Sequence, residues 1–176
     1  MGKLQRSGGG SVILDIDLDY FVVLKQPVRE FKKILGWASH PIDHLVDHHH
    51  QSYKHWLQMM ARGTLTHPRL IVHIDDHHDM FSDKPPVNSG NFIYFALRRF
   101  PQCHVIWVAP DPIDYPDMWL SHSAWASVSQ RFECSTKLDR HLPKPDVVSV
   151  CRSPAFVEKN LGKALLSHSR YHQARS

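Results

Sequence analysis

No stretch of the chain approaches the roughly 18 consecutive apolar residues of a membrane span, and the opening MGKLQRSGGGS lacks the apolar core of a signal peptide. No membrane partner is expected, and residues 1–10 read as a flexible leader. Cysteine is scarce: Cys103, Cys134 and Cys151 are odd in number and widely spaced. That excludes a disulfide framework and a thiolate zinc site, and makes a reducing cytoplasm the simplest setting. Long basic runs are missing too. The 21 Lys and Arg against 17 Asp and Glu leave a formal charge of +4, too mild and too dispersed for a nucleic-acid surface. There is no internal repeat, and the only low-complexity tract is the short glycine run.

What is abundant is histidine, with 15 in 176 residues, and they are clustered. Imidazole is the commonest metal ligand and the side chain that titrates near neutrality. A hydrophobic content of 42% supplies one core, so residues 11–168 read as a single domain followed by a basic tail at 169–176.

Four apolar runs, at 11–19, 69–75, 103–109 and 146–151, have the character of buried strands. Helical patterns fall between them, at 42–62 (Leu45, Tyr53, Trp56, Leu57 and Met60), 90–99 and 156–167. This alternation predicts an α/β fold: a mainly parallel sheet with helices on both faces, a three-layer αβα arrangement. The Pro-rich loops DKPPVNSG and APDPIDYP follow strand ends, and in open α/β sheets ligands bind at those carboxyl ends.

Two of the strands end in acids. In RLIVHIDDHHDM an extended chain puts Asp75, His77 and Asp79 on one side, with His73 continuing the same alternation and Asp76 and His78 opposite. In LDIDLDYF, Asp15, Asp17 and Asp19 likewise share a face. Packed acids repel, and burying each costs several kcal/mol, roughly, unless a cation or hydrogen bonds compensate. His48, His49 and His50, which open the long helical pattern, offer a further ligand. Each motif alone is also compatible with a solvated edge or surface. Together they suit manganese, iron or magnesium, and the carboxylate count implies two ions able to activate water for hydrolysis.

D-x-H-x-D after an apolar strand, a separate D-x-D strand and the following S-G-N resemble the ureohydrolase superfamily of arginase and agmatinase. LDIDLDYF, HIDDHHDM and SGNF look most like the peptide arginases, over about residues 12–110 with a weaker match at VSVCRSP. The resemblance implies a compact, rearranged arginase-like domain with two manganese ions. It would hydrolyse the guanidino group of arginine residues in a ribosomally made precursor peptide, giving ornithine and urea by attack of a metal-bridging hydroxide. By position, one ion falls to His50, Asp75, Asp79 and Asp17 and the other to Asp75, His77, Asp17 and Asp19. His49 is the alternate to His50, and Asp15 with Asp17 the alternate acidic pair. Asp79 would relay a proton to the leaving amine.

The pattern departs from arginase in several places. The D-x-D strand comes first, the chain is short, and Ile93 stands at the family's histidine shuttle position, which leaves His73, His78 or Asp76 for acid–base work. Ser89 and Asn91 match substrate-binding positions, or cap the helix that follows. Asp76, Asp114 and Asp117 are candidates to bind the guanidinium, and Trp107, Trp119 and Trp125 either line a peptide groove or fill the core. Three rivals remain. DHH occurs twice, as in manganese phosphoesterases; a strand ending in D-x-D also opens haloacid-dehalogenase-like phosphatases; and a metal- or peptide-binding module would keep the site without turnover.

Overall fold

SVILDID forms β1 (Ser11–Asp17), buried along its whole length, in the computed structural model, which describes residues 9–167. Alternate residues of β1 enter different layers. Val12, Leu14 and Ile16 pack with Phe31, Ile34 and Trp37 of α1 (Pro27–Ala38) and with Leu165 of α5 (Lys159–Leu166). Ile13 packs instead with Trp56 of α2 (His50–Ala61) and with Phe92 and Leu97 of α3 (Phe92–Arg99). A strand covered on both faces is expected to be apolar on both. β1 obeys this on the α1 face and abandons it on the α2 face, where Ile13 gives way to Asp15 and Asp17.

The neighbouring strands do the same. β3 (Pro68–Ile74) runs parallel to β1 and sets His73 beside Asp15; β6 (Val147–Cys151), on the other side, sets Ser149 beside Asp15. Asp15, His73 and Ser149 are all fully buried, so a polar row crosses three central strands under α2 and α3. Trp56 Nε1 donates to Ser149 Oγ (2.9 Å), which satisfies one end of the row from α2.

Among the described residues six parallel strands form one sheet in the order β2-β6-β1-β3-β4-β5, with β2 at His44–Val46, β4 at His104–Val108 and β5 at Phe132–Ser135. With α1 and α5 on one face and α2, α3 and α4 (His122–Ala126) on the other, the architecture is the three-layer α/β arrangement expected. From β1 the chain goes by way of α1 to the edge strand β2, then returns past β1 to β3 and on to β4 and β5. Connections thus leave the carboxyl ends of β1 and β3 in opposite directions, the place where parallel sheets open a crevice.

Three local readings change. The helical pattern expected over 42–62 is helix only from His50, because β2 and a loop occupy the earlier part. β5 is a short strand beyond the four expected, and α1 is an added helix whose Phe31, Ile34 and Trp37 repeat every three residues. Of the leader expected at 1–10, residues 1–8 lie outside the described residues, while Gly10 is tied to β3 because its carbonyl accepts from Arg69 Nε (3.0 Å). The tail at 169–176 also lies outside them. Among the described residues no helix is long and apolar enough to cross a membrane.

Candidate metal centre

The acids at the end of β3 converge by turning, not by strand alternation as expected. β3 stops at Ile74, and Asp75 is anchored by its own backbone: its N–H donates to the Val108 carbonyl, and its carbonyl accepts from Trp107 Nε1 (3.0 Å). His77 N–H then donates to Asp75 Oδ1 (2.7 Å), closing a side-chain turn, and Asp79 adopts φ 51°, which swings its carboxylate back towards Asp75. At the end of β1 a single 3-10 turn, Leu18–Phe21, does the same for Asp19, whose N–H donates to Asp17 Oδ1 (2.9 Å).

Two donor groups result, and they share one residue. His49 Nδ1 lies 2.9 Å from Asp75 Oδ2, 3.0 Å from Asp79 Oδ2 and 3.3 Å from Asp17 Oδ2. His73 Nε2 approaches the same oxygens, at 3.5 Å from Asp75 Oδ2 and 3.8 Å from Asp79 Oδ2. The other oxygen of Asp75 faces His77 Nδ1 (3.6 Å), which also lies 3.0 Å from Asp19 Oδ2. The buried group His49, His73, Asp75 and Asp79 could hold a metal ion, and so could Asp19, Asp75 and His77 beside it. His49 Nδ1, His73 Nε2 and Asp79 Oδ2 are buried, with both nitrogens within 4 Å of that oxygen, yet none of the three makes an aligned hydrogen bond. Buried polar atoms left so are rare and need a partner.

The charges of the cluster act strongly on one another. Burial pushes the Asp17 and Asp19 carboxyls up and the Asp75 charge pushes them further; burial and Asp75 likewise raise Asp79 to about 7. Asp75 goes the other way: burial opposes its charge, but His49, His77 and His73 hold it far below the usual carboxylate range. Burial alone would lower His49 and His73, and the surrounding carboxylates, Asp15 foremost, raise both above an ordinary histidine. Hydrogen bonds to Asp19 and Asp75 take His77 to about 11. A metal held by these residues would have to displace the protons that the surrounding carboxylates favour on His49, His73 and His77. Falling pH favours the protonated forms, so metal affinity should decline as pH drops below about 11, where the His77 ring takes up its proton, and more steeply below about 7, where Asp79 does too, with proton release on binding. Calorimetric titration in buffers of different ionisation enthalpy measures that release; a pH-independent affinity would contradict the assignment.

Of the residues singled out from the sequence, Asp17, Asp19, Asp75, His77 and Asp79 come together, and with His49 they line a cavity of about 430 Å³ whose walls include Phe81, Ser89, Ser153 and Phe156. His50 does not join them. It is half-buried, with Nδ1 3.2 Å from Ser89 Oγ, while the buried His49 takes the place expected of it. The signal was present: His49, Ser52, Tyr53 and Trp56 fall at i, i+3, i+4 and i+7, the buried face of α2. Asp15 lies beneath the cluster, 2.7 Å from His49 Nε2 and 3.0 Å from His73 Nδ1.

His73 sits within the cluster. His78 sits apart from it, its Nδ1 accepting from Met80 N–H (2.9 Å) and its ring packed on Phe81 and Trp107; burial and His73 push it down to about 4. Asp76 is half-buried and does not line the cavity, nor do the exposed Asp114 and Asp117. Asn91 is buried, its amide binding the Asn88 N–H and the Lys84 and Pro86 carbonyls, so it braces the loop before α3. Trp107 is core, Trp125 packs on Phe132, and Trp119 is half-exposed against Phe81. No family model, curated protein or solved structure matches the chain.

Proposed function

We propose that the protein is a manganese-dependent hydrolase of the guanidino group of arginine residues within a peptide, leaving ornithine and releasing urea. The observation that carries this reading is the shared carboxylate: Asp75 turns Oδ2 to His49 and Asp79 and Oδ1 to His77, so two donor groups adjoin on one residue. His49, His73, Asp75 and Asp79 would hold one ion, with the Asp17 carboxylate beside His49, and Asp19, Asp75 and His77 would hold the other. Divalent ions so paired supply Lewis acidity and a nucleophile drawn from water at neutral pH. An oxygen-rich donor set suits manganese.

The chain's own groups do the rest. With two divalent ions bound, Asp17, Asp19, Asp75 and Asp79 and the Asp15 carboxylate below the cavity floor would still slightly outweigh the ions' charge, so the site would accept a cationic guanidinium. Asp79, which lines the cavity, is placed to take the proton released by the attacking water and pass it to the leaving amine. His78 has no such part, since its Nδ1 lone pair is engaged by Met80 and the ring stays neutral. The rim favours a peptide. Phe81 and the exposed Phe156 wall the entrance, and the half-exposed Trp119 extends the apolar edge from Phe81. Asn91, the match to a grip on the free amino acid's carboxylate, is turned inward to its own loop.

The test is to incubate manganese-loaded protein separately with an arginine-containing peptide, free arginine and a phosphodiester. Urea with loss of CH2N2 from the peptide is expected. Cleavage of the phosphodiester to a phosphomonoester and an alcohol without urea would move the protein to the phosphoesterases, and metal uptake with no product would make it a binding module.

A further inference from the structure

The cluster has a buried member that does not line this cavity. Asp15 is fully buried in β1, below the floor, and its Oδ2 meets two imidazoles from different elements: His49 Nε2 at 2.7 Å, off the line of an ideal hydrogen bond, and His73 Nδ1 at 3.0 Å. Both rings then point their other nitrogen the same way. His49 Nδ1 and His73 Nε2 each face Asp75 Oδ2 and Asp79 Oδ2. A carboxylate behind an imidazole keeps the proton on the near nitrogen and leaves the lone pair on the far one. Here one carboxylate does so for two rings through opposite nitrogens. The cause lies in the sheet register, which sets Asp15 beside His73, and in α2, which starts directly above them with His49.

We propose that Asp15 is a positioning residue that commits both His49 and His73 to a single ion, which makes the two metal positions unequal. This rests on the metal reading of the site. The inner position, at His49, His73, Asp75 and Asp79, is buried, carries two imidazoles and has both rings locked. The outer one, at Asp19, Asp75 and His77, carries one imidazole whose side chain is 39% exposed. Nitrogen donors favour later divalent ions of the first transition row, so the inner position should take zinc, cobalt or iron(II) over magnesium. The outer position should exchange its ion with solution.

Three measurements decide the matter. Titration of metal-free protein with zinc should show two equivalents whose affinities differ at least ~10-fold, and long-range nitrogen–proton correlation spectra of the zinc form should show His49 protonated at Nε2 and His73 at Nδ1. Asp15→Asn should weaken the tighter step by ~10–100-fold and leave the weaker one unchanged, and Asp19→Asn should do the reverse. Should Asp15→Asn fail to fold, His73→Gln replaces it, with loss of the tighter step expected. Two equal steps, identical tautomers for the two rings, or equal weakening of both steps by Asp15→Asn would overturn the proposal and leave the hydrolase reading standing. No metal uptake at all would overturn both.

Discussion

His49→Ala is expected to abolish the tighter metal step and reduce turnover below detection, whereas His50→Ala leaves both nearly intact. The two side chains are adjacent in sequence and differ entirely in surroundings. His49 is 2% exposed and lies between Asp15 on one edge and Asp17, Asp75 and Asp79 on the other. Its loss deprives a metal of a ligand and Asp15 of one of its two partners. Removing one member of a buried charged set costs about 3–5 kcal/mol, so the metal-free variant should also melt earlier unless its acids take up protons. His49→Gln keeps most of the volume and tests ligation apart from packing. His50 makes one side-chain contact of consequence, Nδ1 to Ser89 Oγ at 3.2 Å, and stacks on His48; deleting it should cost about 0.5–1.5 kcal/mol. Metal analysis with urea release on both variants checks the contrast. Equal effects at the two positions would mean that neither histidine is a ligand.

The sequence favoured His50, with His49 as its alternate, whereas the fold buries His49 in the acidic cluster and leaves His50 outside it. Counting from His50 sets Tyr53 and Trp56 three and six positions on, which looks like a face. Counting from His49 sets Ser52, Tyr53 and Trp56 at three, four and seven, which is a face, and these are the residues α2 buries. Periodicity could have settled it. The register of β1 against β3 could not be read in the same way, because the pairing of Asp15 with His73 depends on two strands separated by α1, β2 and α2 becoming neighbours. The same holds for the order of the motifs. D-x-D precedes D-x-H-x-D in the chain, yet the sheet sets β1 and β3 side by side, so both acidic ends reach one crevice.

The comb at 75–79 was legible for a different reason than the one that operates. Alternation in an extended strand predicts that Asp75, His77 and Asp79 share a side, and they do converge, but through an Asp75-capped turn and a left-handed Asp79. Aspartate tolerates that backbone region better than most residues, so its identity at 79 serves the turn as well as the chemistry. Short elements left little trace. β5 is four residues with Glu133 in its middle, and β2 is three residues within a segment whose histidines and leucine also fit a helix.

Asp75→Asn should have the largest effect, removing both ions at once. An ordinary ligand serves one ion, but Asp75 presents Oδ2 to the inner group and Oδ1 to the outer, and its Oδ1 also accepts the His77 N–H that shapes the turn. Asparagine has one oxygen for these tasks, and its amide nitrogen has no lone pair to give a metal. Wild-type protein should gain about 2.7 kcal/mol of stability from each ion at a metal concentration a hundredfold above that ion's Kd, and chelator should remove it. The variant should gain nothing from metal and lose nothing to chelator. Its metal-free form need not be weak. Asp75 raises the carboxyls of Asp17, Asp19 and Asp79, and losing its charge relieves that repulsion even as His49 and His77 lose an acceptor. These effects oppose one another, so the variant's unfolding without metal should lie close to that of metal-free wild type. A structural cluster would reverse the pattern, with the substitution unfolding the metal-free protein and metal mattering to neither form, so paired melts with and without manganese separate a metal centre from a buried ion network.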